Sequence, residues 1–139
     1  MLCLGTRNNW ERACLRLYSQ NQNIYSNDIA PDSDADFIGD FNRIETEDKF
    51  DIIFSNSIDH AYDATASYLN WLECLKSEGL LIIDFDITVM VGDESSTDCC
   101  TFTVESVDGF LDYLQSKNIV SIEKKYFDKE LEKMKELVE

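Results

Sequence analysis

A glycine at position 5 ends the apolar run 1–4 and is followed by Thr6, Arg7, Asn8 and Asn9. Without a Cβ, the bend lets a ligand come close to the backbone, and the start of the next helix offers unpaired N–H groups. The chain then reads Asn27-Asp28-Ile29. A carboxylate about 20 residues after a glycine bend is where nucleoside-binding sheets grip a ribose diol. Asp28 can equally serve as a turn or capping residue ahead of Pro31. Next comes Gly39-Asp40-Phe41, in which the carboxylate could accept from an exocyclic amino group while the ring contacts a base face. Its plain alternative is a solvated turn. Ser55, Asn56 and Ser57 are small polar groups, and three residues on stands His60, the single histidine. His60 is a candidate site-lining group and a candidate general base. Lone histidines are more often structural.

These residues are useful only if strand ends bring them together. The run 1–4 reads as a buried strand. Trp10, Ala13, Cys14, Leu17 and Tyr18 recur at helical spacing, so a helix over 10–19 follows, with Asn8 or Asn9 able to cap it. Residues 24–28 are a second strand and 35–38 a brief third. The run Phe-Asp-Ile-Ile-Phe-Ser at 50–55 suits a strand covered on both faces. Asp63 can cap a helix whose Ala64, Tyr68, Leu69, Leu72 and Leu75 share a face, with Gly79 as its stop. Residues 80–85 are the strongest strand. Ser106 can cap a helix bearing Val107, Phe110, Leu111 and Leu114, and residues 101–104 are extended before it. A strand at 119–127 and a charged helix from Asp128 complete the order. The alternation predicts a single α/β domain over 1–139: a Rossmann-like, doubly wound, mostly parallel sheet with helices on both faces. Such sheets bind ligands beyond the carboxyl ends of their strands, where strand order reverses.

Composition narrows the ligand. The chain carries 12 basic and 28 acidic residues, a net charge of −16 over 139 residues. That surface repels nucleic acid and anionic membranes and suits a cationic ligand. The first loop has no lysine, Glu11 lies in the first helical turn, and no Gly-x-Gly-x-x-Gly is present. All three features disfavour a pyrophosphate, and hence a dinucleotide. The five cysteines show no framework spacing, and Cys3, Cys14 and Cys74 fall within apolar patterns. Reduced thiols and a cytoplasmic location are the expectation. One histidine and no Cys-x-x-Cys pair argue against a metal site.

The ordered runs Cys-Leu-Gly-Thr-Arg, Ser-Asn-Asp-Ile-Ala-Pro, Gly-Asp-Phe, Phe-Asp-Ile-Ile-Phe-Ser-Asn-Ser-Ile-Asp-His-Ala-Tyr-Asp and Leu-Lys-Ser-Glu-Gly-Leu-Leu-Ile-Ile-Asp resemble class I S-adenosylmethionine-dependent methyltransferases of the broad small-molecule type. The likeness covers roughly residues 1–85. It implies that Gly5 and Thr6 touch the methionine part of S-adenosylmethionine. Asp28, with its neighbour Ile29, would hold the ribose, and Asp40 and Phe41 would address adenine. Ser55, Asn56 and Ser57 would line the floor beneath the sulfonium, with His60 nearby. The methyl group in such enzymes moves in one displacement, for which the protein supplies mainly positioning and exclusion of water.

The chain also departs from that pattern. A single glycine remains in the first loop, and a cysteine stands before it where an acid is usual. The sequence starts within the first strand, so a partner chain or second copy is expected to supply the N-terminal cover. Two functions follow: methyl transfer to a small-molecule or protein acceptor, or a catalytically inactive methyltransferase-like binding or scaffolding subunit.

Overall fold

The computed structural model describes residues 1–46, 49–84 and 104–116. Two compact units, Met1–Thr103 and Val104–Glu139, make up the chain. In the first, the order is β1 (Leu2–Leu4), α1 (Trp10–Ser19), β2 (Tyr25–Asp28), β3 (Phe37–Ile38), β4 (Phe50–Ser55), a 3-10 turn (Ile58–His60), α2 (Ala64–Glu73) and β5 (Leu75–Ile83). In the second, α3 spans Val104–Ser116, with Val107 and Leu114 buried.

The five strands form one parallel sheet in the order β3-β2-β1-β4-β5. The chain builds outward from β1 to β3, then returns to the other side of β1 with β4. This is the Rossmann-like α/β architecture expected from the alternation, and its switch point lies between β1 and β4. Register sets the two faces. Leu2 lies beside Ile53 and Leu4 beside Ser55, while Cys3 lies beside Ser26 and Phe54 on the opposite face. On the first face Leu2, Leu4, Ile53, Leu81 and Ile83 pack with Phe41, Ile58, Trp71 and Cys74 into the core. The indole of Trp71 is fully buried, and its Nε1 donates to the carbonyl of Phe41 at 2.7 Å. That bond ties the loop after β3 to α2 and satisfies a polar atom that burial would otherwise penalise.

Several element ends differ from expectation for local reasons. The expected cap of α2 is present, with Asp63 accepting from Ala66 N at 2.9 Å. The helix stops at Glu73, however, so Leu75 belongs to β5 and not to the helical face. Gly79 lies inside β5, where pairing with β4 shifts register between Phe50 and Ile52, so it marks an irregular strand and not a helix stop. Asn9 occupies the first cap of α1 in the left-handed region (φ 58°) with no side-chain capping bond; Asn8 Oδ1 accepts from Trp10 N instead, at 3.3 Å. Helix α3 begins at Val104, so Ser106 lies within its first turn and Val104 is helical, not extended. The expected elements at 119–127 and from Asp128 lie outside the described residues, as do residues 101–103 of the expected extended segment. No described helix is long and apolar enough to cross a membrane.

Candidate functional site

At the switch point the bends after β1 and β4 meet. Gly5 has φ +67°, a conformation that costs an L side chain about 1–2 kcal/mol. A Cβ there would stand 2.8 Å from Ser57 Cβ, so two independent constraints demand glycine. Ser57 Oγ donates to the carbonyl of Gly5 at 3.2 Å, and Ser57 N donates to Ser55 Oγ at the same distance. In the loop after β1, Thr6 and Asn9 are buried, while Arg7 and Asn8 are exposed. Thr6 is buried, its N–H donates to Asn27 O at 3.2 Å, and its hydroxyl donates to Asn9 Oδ1 at 3.1 Å.

Asp28, at the end of β2, is buried and faces this loop. One carboxylate oxygen accepts from Arg7 N at 2.6 Å and the other from Ala30 N at 2.8 Å. Arg7 has φ 39°, a strained value for a non-glycine residue, and the short bond to Asp28 holds it there. Each oxygen keeps a second lone pair. Asp28 is therefore a clasp between the loop after β1 and the turn after β2, with lone pairs to spare. Its neighbour Ile29 points outward and is largely exposed.

The turn after β3 contributes next. Asp40 accepts from Asn42 N at 2.8 Å and Asn42 Nδ2 at 2.7 Å, and from the Tyr62 hydroxyl at 3.3 Å. Beside that carboxylate, the Tyr62 phenol is pushed above its usual range, chiefly by the charge of Asp40. Phe41 does not stand open toward a base. Its ring is buried against Trp71, with centroids 5.9 Å apart, so its apolar surface is committed to the core. Asn42 is a hub that the sequence did not single out: its Oδ1 accepts from Tyr62 N at 3.2 Å and Ser67 Oγ at 3.0 Å. Only tertiary contact gives it this role, and no spacing signal announces it.

Beyond β4, Asn56 Nδ2 donates to Glu11 Oε1 at 3.4 Å, linking the β4 loop to the first turn of α1. His60 ends the 3-10 turn, is half-buried and engages a neighbour. Two acidic oxygens nearby, Glu11 Oε2 in the first turn of α1 and Asp59 Oδ1 in the 3-10 turn, are buried without a hydrogen-bond partner. The set of groups at the strand ends is thus rich in acceptors.

The fold has a counterpart among solved structures, DesVI from Streptomyces venezuelae. The match has a TM-score of 0.54 at 13% sequence identity, and covers 66% of this chain but 45% of DesVI, so the chain spans less than half of that protein. No protein-family model matches the sequence, and no curated protein does so. The likeness concerns the fold.

A concavity lies elsewhere. A cleft of about 530 Å³ opens at the amino ends of the strands, lined by Met1, Asn23, Tyr25, Phe37, Lys49 and Phe50 among others. It touches none of the candidate residues. In an open parallel sheet, ligands bind beyond the carboxyl ends of the strands, and the candidate residues stand there rather than around this cleft. No group of His, Cys, Asp and Glu suited to a metal ion occurs among the described residues.

Proposed function

We propose that this chain binds S-adenosylmethionine at the β1–β4 switch point and transfers its methyl group to a small-molecule or protein acceptor. One observation carries the reading: the Gly5 bend meets Ser57 at the switch point (Ser57 Oγ 3.2 Å from Gly5 O), and the buried Asp28 carboxylate at the neighbouring strand end holds Arg7 N of the same loop at 2.6 Å. The groups suit that cofactor chemically. Ribose hydroxyls and an adenine amino group are donors, and a sulfonium is a cation. Asp28 retains acceptor capacity, and Glu11 Oε2 and Asp59 Oδ1 have no partner. The same acceptors disfavour a pyrophosphate.

The cofactor supplies a methyl group on a good leaving group. What the chain supplies is placement. Asp28 would orient the ribose through its remaining lone pairs, Asp40 would accept from the base, and Ser55, Asn56 and Ser57 would form a polar floor. His60, at the end of the following turn, would lie beside the acceptor and take its proton if the acceptor is protic. Gly5, Thr6 and Ile29 would flank the methionine and ribose ends.

Calorimetric titration with S-adenosylmethionine and with S-adenosylhomocysteine tests the reading. Binding in the micromolar range is expected, with Asp28→Asn weakening it at least tenfold, or about 1.4 kcal/mol. Folded protein that binds neither compound at millimolar concentration would overturn it. A second reading, an inactive methyltransferase-like binding or scaffolding subunit, is favoured by the engagement of both Asp28 oxygens with Arg7 N and Ala30 N. An unchanged affinity in the Asp28→Asn protein would overturn the ribose assignment, and binding without methyl transfer to any acceptor in a cell extract would favour the second reading.

A further inference from the structure

The turn after β3 leaves one role unfilled. It adjoins Asp28, because Ile38 pairs with that residue and Gly39 N donates to Asp28 O at 2.8 Å. A base held by the Asp40 carboxylate would therefore lie next to a ribose held by Asp28. Proteins seat such planar bases on aromatic faces as well as by their edges. Phe41 does not offer that face, since its ring is buried against Trp71.

Tyr62 does. It lies between the 3-10 turn and α2 and is 69% exposed. A single exposed aromatic is ordinary on a protein surface. This one is anchored at both its backbone and its hydroxyl. Its N–H donates to Asn42 Oδ1 at 3.2 Å, and its hydroxyl donates to Asp40 Oδ2 at 3.3 Å. Asn42 is itself fixed, donating twice to Asp40 Oδ1 and accepting from Ser67 Oγ. The charge of Asp40 raises the phenol, which stays protonated and keeps donating at neutral pH. The ring is thus held beside the carboxylate while most of its surface remains in solvent, so little freedom is left to lose on binding.

The surroundings admit a ligand. A Cβ built on Gly39, the residue before Asp40, would meet nothing within 4 Å. A carboxylate oxygen has two lone-pair sites, so Asp40 Oδ2 can accept from a base amino group while Tyr62 stays bound to it. Both donors would then share one oxygen, which brings the edge of the base to the phenol ring.

We infer that Tyr62 supplies the aromatic surface on which the purine of the ligand rests, and that its bond to Asp40 sets the ring for that contact. The inference rests on the S-adenosylmethionine reading of the same site and adds to it a residue that positions the base.

The probe is S-adenosylhomocysteine, titrated into the full chain by calorimetry. Tyr62→Phe keeps the ring and frees it from Asp40, whereas Tyr62→Ala removes it. The side chain is mostly exposed, so both variants should keep the urea midpoint of the parent protein. Tyr62→Ala should weaken binding about fivefold or more, the lower end of what loss of a stacked aromatic costs a base. Tyr62→Phe should fall between that variant and the parent. Nuclear magnetic resonance of the ligand separates stacking from mere support of Asp40. Protons H2 and H8 of the base should move upfield on binding to the parent and to Tyr62→Phe, and less with Tyr62→Ala. Equal affinity of Tyr62→Ala and the parent overturns the inference while the cofactor reading stands. So does Tyr62→Phe as weak as Tyr62→Ala, or an upfield shift just as large without the ring. Folded parent protein that does not bind the probe at millimolar concentration overturns both.

Discussion

Gly5→Ala tests how the switch point is built. The new Cβ meets two separate obstacles. Holding alanine at φ +67° costs about 1–2 kcal/mol from the left-handed backbone alone. Placing that Cβ 2.8 Å from Ser57 Cβ forces the β1 and β4 loops apart, an overpacking that costs about 1–3 kcal/mol. The sum is about 2–5 kcal/mol, out of a total of about 5–15 kcal/mol for a typical domain, so the variant should remain folded in buffer. Ser57→Gly removes the obstructing atoms and with them the bond to Gly5 O, a loss of about 1 kcal/mol by itself. A double-mutant cycle in urea then separates the terms. Gly5→Ala in the Ser57→Gly background should recover only the clash, leaving about 1–2 kcal/mol of backbone strain. Two results would refute the reasoning. A neutral Gly5→Ala would mean that the loops do not approach as described, and complete rescue by Ser57→Gly would mean that the bend carries no left-handed strain.

Other expectations follow from named contacts. The Asp36 carboxyl is raised by burial but lowered further by Arg12 and Ser26, so its folded value lies below the ordinary one. Its contribution is present above the unfolded value near 3.9 and is lost as pH falls through the folded value; Asp36→Asn should flatten the acid limb of urea midpoint against pH. Trp71→Phe removes a buried indole and its bond to Phe41 O, and should cost about 3 kcal/mol by urea unfolding. Asp63→Ala uncaps α2 and should cost about 1 kcal/mol by the same measurement. Burial pushes the Cys3 thiol up to about 11, and Cys74 is also raised by burial. Among Cys3, Cys14 and Cys74, mass-spectrometric labelling of native protein at pH 8 should therefore find half-buried Cys14 modified first.

The sequence by itself determined the strand and helix order through β5. Short apolar runs such as Phe50–Ser55 and polar breaks such as Asp63 are local signals, and local signals set secondary structure. It also placed Gly5, Asp28, Asp40 and Ser57 at strand ends, because in a parallel sheet position along the chain dictates which end a residue occupies. Three features needed the tertiary structure. The periodicity of α1 located Trp10–Ser19 but did not say which side faces inward; Arg12 and Arg16 decide that through Asp36, a residue more than one element away. Phe41 reads as a ligand-facing aromatic until Trp71 is seen to take its ring into the core. Gly79 reads as a helix stop, whereas pairing between β4 and β5 draws the chain back into the sheet at Leu75. In each case the deciding partner lies far off in sequence, and a spacing pattern records a residue's neighbours along the chain, not those that folding brings to it.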